Sequence, residues 1–169
     1  MTNNMRQKVT ETETCTTSFR LALGYVMNLL ARREYSEYEI RCKMQEKAFC
    51  EEDIEAVILH CKQKNWQSDR RFTENYLNFR AQRGYGWARI RQELIQLKGI
   101  PPAIIEEVLS ESDLDWNQIA HTVLNKKFPD YHKKQNPQSK QKIWRYMISH
   151  GFRSDDFADF IGNGDSFDF

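Results

Sequence analysis

Residues 33–58 read REYSEYEIRCKMQEKAFCEEDIEAVI, residues 83–109 read RGYGWARIRQELIQLKGIPPAIIEEVL, and laid over one another they decide the fold. At an offset of 50, Arg33 and Tyr35 fall on Arg83 and Tyr85, and Ile40, Arg41 and Met44 fall on Ile90, Arg91 and Leu94. One extra residue shifts the offset to 51, so that Phe49, Ile54 and Val57 meet Ile100, Ile105 and Val108. A third copy lies 103 residues from the first, where Ile143, Met147 and Phe152 answer Ile40, Met44 and Phe49. In the same register Phe157, Phe160 and Ile161 answer Ile54, Val57 and Ile58. Fixed-period self-similarity marks an architecture of stacked units, each too small to bury its apolar face alone. A curved array of such units offers a surface to a large partner rather than a pocket to a small one.

Working outward, every unit reads as helices. Phe19, Leu23, Val26, Met27 and Leu30 recur at helical spacing and open the first unit. Ser36 with Glu39 has the form of a capping box, and Glu51, Glu52 and Asp53 crowd the first turn of the next helix, where the dipole favours carboxylates. Ile54, Val57, Ile58 and Cys61 form that helix's inner face. In the second unit Ser68 or Asp69 caps a helix whose Phe72, Tyr76 and Phe79 predict a core stripe. Gly84 and Gly86 bracket a turn at Tyr85, where positive φ is cheap only for glycine. Ile90, Leu94 and Leu97 carry the following helix to a stop at Gly99, and Pro101-Pro102 opens the next one.

The third unit begins with Ile119, Val123 and Leu124. The polar stretch Lys126 to Gln141, broken by Pro129 and Pro137, predicts a loop or two short turns before the helix of Ile143, Met147 and Ile148. Ser154, Asp155 and Asp156 start the last helix, with Phe157, Phe160 and Ile161 inward. No segment alternates with a period of two, so no sheet is expected and the fold class is all-α. The organisation expected is a mobile N-terminal arm (1–17), three-helix repeats over 19–66, 67–112 and 113–162, and a mobile acidic-aromatic tail (163–169).

The totals narrow the function. The chain has 169 residues, 40% of them hydrophobic and 29% charged, which excludes a disordered protein. Its net charge is +1, so no global field steers it to nucleic acid or membrane. Cys15, Cys42, Cys50 and Cys61 show no C-x-x-C spacing and no secretory leader precedes them, which predicts free thiols in the cytoplasm. His60, His121, His132 and His150 are scattered one per element, without ligand spacing for a metal. Phosphate loops and nucleophile elbows are missing from the sequence. Glu51-Glu52 and Asp155-Asp156 could be read as nuclease ligands, but at helix starts they read better as dipole caps. No catalytic residue, metal or cofactor is assigned, and the chain is read as not an enzyme.

Charge is local instead. Arg70, Arg71, Arg80, Arg83, Arg89 and Arg91 stand among Phe72, Tyr76, Phe79, Tyr85 and Trp87, with Glu74 the one acid in that stretch. Lys126, Lys127, Lys133, Lys134, Lys140, Lys142 and Arg145 form a second cluster with Asp130 alone against it. Arginine forks suit phosphates and carboxylates, and clustered lysines suit phosphates or an acidic protein surface. These thirteen residues are the candidate partner- and DNA-binding set. Arg80, Arg83 and Arg89 are expected on an outer face, where they contribute little to stability.

Several of these residues carry a family resemblance. Leu23, Val26, Leu29-Leu30-Ala31-Arg32-Arg33, Tyr35-Ser36 and Arg41-Cys42-Lys43-Met44 resemble the first repeat of the RecX regulators of the RecA recombinase. Asp69, Phe72, Arg80, Arg83-Gly84, Gly86, Ile90, Leu94 and Lys98-Gly99-Ile100 are similar to that family's second repeat. His150-Gly151-Phe152 with Asp156 and Phe157 resembles the close of the third. The resemblance spans residues 19 to 162. It implies an all-α, elongated, curved array of three tandem three-helix repeats. It also implies a cytoplasmic, non-catalytic monomer that binds RecA and the RecA–DNA filament and restrains recombination, ATPase and coprotease functions in DNA repair and the SOS response. Binding of single- or double-stranded DNA alone would be weak, and no membrane is involved. The competing reading is a stand-alone helical DNA-binding protein of the helix-turn-helix kind. Such a protein should expose its recognition residues at the start of one helix, whereas the basic residues here are spread over two repeats.

Overall fold

A computed structural model describes residues 18–133 and 136–162, and the expected arm and tail lie outside them, as do Cys15 and Lys134. The described chain is helical, with no strand among its residues. In chain order the helices are α1 (18–30), α2 (Glu37–Glu46), α3 (Glu51–Gln63), α4 (Asp69–Gln82), α5 (Trp87–Gln96), α6 (Pro102–Glu111), α7 (Trp116–Lys127), α8 (Pro137–Ser149) and α9 (Ala158–Ile161). A 3₁₀ turn over Ser154–Asp156 precedes α9. The chain forms two compact units, one running to Phe72 with Lys98–Ile100 added, the other comprising Thr73–Leu97 and Pro101 onward.

In the first unit, α2 starts at the expected capping box. The Ser36 hydroxyl accepts the Glu39 N–H at 3.1 Å, and the Glu39 carboxylate accepts the Ser36 N–H at 3.4 Å. Ala22, Val26, Ile40, Met44, Ile54, Val57 and Cys61 fill the core with no exposed surface. Truncating a fully buried Ile or Met of this kind to Ala costs about 2–5 kcal/mol. Asp53, expected only as a dipole cap, is itself buried and accepts from the Ser18 hydroxyl and, at 3.2 Å, from the Cys50 thiol. Cys61, expected on the inner face of α3, is buried, and burial pushes its thiol pKa up, whereas Cys42 is only half-buried. Lys98 returns to this unit and donates to Glu39 at 2.7 Å, with Arg33 donating from the other side at 3.1 Å.

In the second unit Leu77, Ala81, Ile90, Leu94, Ile105 and Val108 are buried, and Ala120, Leu124, Ile143, Met147, Phe157 and Ile161 form a further core cluster. Every apolar repeat position aligned in the sequence, from Ile40 to Ile161, is buried or half-buried. Four expectations change in detail. The stripe of α4 runs through Phe72, Thr73, Leu77 and Ala81, leaving Phe79 50% exposed, because Thr73, Leu77 and Ala81 recur four residues apart on one helix face and Phe79 lies off it. Leu97 is 61% exposed at the end of α5. Lys126–Gln141 is not a continuous loop: α7 continues through Lys127, and Asn136 caps α8 by accepting the Ser139 N–H at 2.7 Å, with Pro137 in the first turn. The final helix splits into the 3₁₀ turn and a single turn of α-helix.

The two glycines of the RGYG turn turn out to do different things. Gly84 has φ +82, as expected. Gly86 has φ −82, and its lack of a side chain serves close approach instead. A Cβ there would overlap the main chain of Gly151 and Phe152. At this contact the first turn of α5 finds acceptors for its orphan donors, with Gly86 N–H donating to the His150 carbonyl at 2.8 Å and Ala88 N–H to the Gly151 carbonyl at 3.0 Å.

Candidate nucleic-acid and partner interface

Four arginines of the first cluster pair with glutamates, two of them with the same one. Arg71 pairs with Glu34 and also donates to the Trp66 carbonyl at 3.0 Å. Arg80 pairs with Glu93, both side chains being about one-seventh exposed or less (15% and 13%). Arg89 reaches the same carboxylate at 3.1 Å, and Tyr76 donates its hydroxyl to it at 2.9 Å. Burial would raise the pKa of Glu93, but the hydrogen bonds from Arg80, Arg89 and Tyr76 outweigh it and hold the carboxyl below its ordinary value. Arg91 ties α5 to α6 through Glu106 at 2.9 Å. Arg70 sits half-buried in the first turn of α4. The expectation that Arg80 lies on an outer face, idle for stability, is therefore corrected, whereas the Arg89 side chain stays 42% exposed while it reaches Glu93. A guanidinium that finds a partly buried carboxylate becomes part of the packing, and the sequence does not announce which glutamate that will be.

Arg83 differs from its neighbours. Its guanidinium lies 4.2 Å from the Phe79 ring centroid, and no carboxylate partners it among the described residues. It lines a cleft of about 530 Å³ within the second unit together with Lys126 and Lys127 from the last turn of α7. The opposite wall is aromatic. Tyr146 and His150, one turn apart on α8 and its cap, stack with centroids 3.9 Å apart, and Tyr85 lies parallel to His150 at 5.7 Å. Arg80 covers the Tyr85 ring at 3.7 Å, and the Lys127 ammonium lies 5.7 Å from the Tyr146 ring. His150 Nδ1 faces the Tyr146 carbonyl at 2.8 Å, a contact that requires the proton on Nδ1.

Among the described residues the remaining candidates do not join this cleft. Lys133 pairs with Asp130 at 2.6 Å, Lys140 lies beside Gly162, and Lys142 and Arg145 are exposed on α8. Of the twelve candidate cations among the described residues, the cleft lining collects three. The sequence reading missed its aromatic wall: Tyr146 and His150 are four residues apart, the spacing that places two side chains on one helix face. Among the described residues no cluster of His, Cys, Asp or Glu could hold a metal ion, and no helix is long and apolar enough to cross a membrane.

Comparison with known proteins identifies the family of the chain. Family models described as the first, second and third three-helix domains of RecX match residues 22–61, 68–109 and 114–161. The chain is 67% identical over 144 residues to the "Regulatory protein RecX" of Mannheimia succiniciproducens, covering 85% of this chain and 94% of that one. It is 62% identical over 146 residues to the protein of the same name from Haemophilus influenzae strain PittEE, covering 86% and 96%. In fold it is similar to a crystal structure of regulatory protein RecX, with a TM-score of 0.78 at 21% identity over 92% of this chain and 76% of the other. A crystal structure of RecX from Lactobacillus salivarius gives 0.75 at 19% identity over 86% and 96%. With three consecutive domain matches in the order of its own repeats, the chain belongs to the RecX family of regulatory proteins.

Proposed function

We propose that this chain is a non-enzymatic regulator that binds the RecA recombinase and its DNA filament and restrains recombination, ATP hydrolysis and coprotease activity. The observation that carries the reading is the unbroken run of three RecX domains, supported by relatives of 62–67% identity named as regulatory proteins. The protein works as a monomer in the cytoplasm, within DNA repair and the SOS response, and needs no cofactor. It acts by occupying protein and DNA surface, and the clustered cations of the second unit suit that role. Charged contacts of this kind add up across a large filament even where each is weak.

The experiment is RecA-driven ATP hydrolysis on single-stranded DNA, with this protein added below the recombinase concentration. Inhibition is expected, and labelled DNA remains uncut in magnesium buffer. Unchanged hydrolysis at equimolar protein, or a nucleolytic product, overturns the reading.

A further inference from the structure

We infer that the cleft between the α4–α5 turn, α7 and α8 binds phosphates of a single nucleic-acid strand. Arg83, Lys126 and Lys127 are its phosphate-contacting residues, and the Tyr85–His150–Tyr146 stack is its fixed wall. This deepens the proposed function and rests on it for the source of the strand, the DNA of a recombinase filament; strand binding itself is measurable without the recombinase.

Charge bookkeeping separates this site from the rest of the basic sequence. Arg71, Arg80, Arg89 and Arg91 are each within 4 Å of a glutamate, three glutamates in all because Arg80 and Arg89 share Glu93, so most of their charge is countered locally. Arg83, Lys126 and Lys127 have no carboxylate partner among the described residues, although they come from two different repeats. Lysines in the last turn of α7 complement the helix dipole, but that role does not require them to face Arg83 across a cleft. The convergence is what a phosphodiester needs: one fork and two mobile ammonium groups around a space with no acid in its lining.

The rest of the lining fits a strand. Ile119 and Val123 give an apolar floor for sugar and base edges, and Thr122 donates its hydroxyl to the Gln118 carbonyl at 2.9 Å, leaving the oxygen's lone pairs as acceptors. The wall needs no rearrangement on binding. His150 is fixed by its bond to the Tyr146 carbonyl, and Tyr85 is held under Arg80, itself anchored by Glu93. Such preorganisation spares the ordering entropy that flexible surfaces lose when they bind. At about 530 Å³ the space lies in the range of small-ligand sites, about 300–1,000 Å³. It therefore has room for one or two nucleotides of an extended strand.

The test measures anisotropy of dye-labelled oligothymidylate against salt for the parent and for the triple variant Arg83→Gln, Lys126→Gln, Lys127→Gln. Each phosphate neutralised by a single-strand binder contributes about 0.7 to the log–log salt slope. The variant's slope is expected to be shallower by about 2, and its affinity at 0.1 M salt about a hundredfold lower. A second triple variant, Arg32→Gln, Lys47→Gln, Lys64→Gln, removes the same charge from exposed positions of the first unit and should change the slope by less than about 1. If the cleft variant loses thermal stability, the three single variants are measured instead, each expected to flatten the slope by about 0.7.

Equal slopes for parent and cleft variants overturn the inference, as does equal flattening by the first-unit variant. Displacement of the oligothymidylate by polyglutamate as readily as by unlabelled oligothymidylate assigns the cleft to acidic protein and also overturns it. Parental protein that inhibits RecA without binding oligothymidylate sinks the cleft and leaves the regulator. Binding through the cleft with no effect on RecA does the reverse.

Discussion

Replacing Gly86 by Ala adds one methyl group where the packing has no room for it. The backbone at Gly86 is ordinary, with φ −82 and ψ 165, so alanine meets no torsional penalty. At an open position it would stabilise the chain by about 0.4–1 kcal/mol through the unfolded state. Here the new Cβ overlaps the carbonyl carbon and oxygen of Gly151 and the amide nitrogen of Phe152, main-chain atoms that cannot rotate away. Relief requires the start of α5 to withdraw by about 1 Å, which stretches the 2.8 Å bond to the His150 carbonyl and the 3.0 Å bond to the Gly151 carbonyl beyond hydrogen-bonding range. Gly86 is buried, so its stranded N–H costs about 1–3 kcal/mol, while exposed Ala88 can turn to water. Overpacking adds about 1–3 kcal/mol. The expected loss is about 3–5 kcal/mol, a fall in Tm of about 10 °C for a chain of this size. Calorimetry measures the shift, and native-state hydrogen exchange locates it: amides of the second unit should lose protection while those of α2 and α3 keep theirs. A Gly86→Ala variant melting within about 2 °C of the parent would refute the reasoning, because Gly86 would then be tolerated only as a flexible residue and not required for contact.

Further outcomes follow from the ion pairs. Arg80→Ala should cost about 2 kcal/mol in chemical denaturation, less than the 3–5 of a fully buried pair because Arg89 and Tyr76 still hold Glu93; a loss under about 0.5 kcal/mol would return Arg80 to the solvated face. Glu39 and Glu93 are both held below the ordinary glutamate value of 4.5, since hydrogen bonds from Arg33 and Lys98, and from Arg80, Arg89 and Tyr76, outweigh the effect of burial. A depressed carboxyl stabilises the fold fully above its unfolded pKa and loses that contribution as pH falls through the folded one. Stability should therefore decline as pH drops below about 4.5, and Glu93→Gln should flatten that decline. Parallel stability–pH curves for variant and parent would exclude Glu93 as a source.

What the sequence determined by itself was everything carried by local spacing. Helical apolar periodicity placed the helices, because burial of a stripe is specified by residues three and four apart. The 50-residue echo from Ile40 to Ile90 gave the tandem architecture, and Ser36 with Glu39 gave a cap whose partners lie within one turn. The basic clusters were equally plain as composition. The tertiary structure decided which cations are spent and which remain. Arg80 and Arg83 are three residues apart and read alike, yet one meets Glu93 and the other faces a cleft. It also decided that Phe79 and Leu97 stay exposed and that Gly86 serves close approach rather than positive φ. These outcomes depend on which backbone arrives opposite a given side chain, and a pairing of Gly86 with Gly151 or of Arg83 with Lys126 has no signature in local spacing. Electrostatic and steric partners are set by distance in space, whereas helix formation is set by distance along the chain.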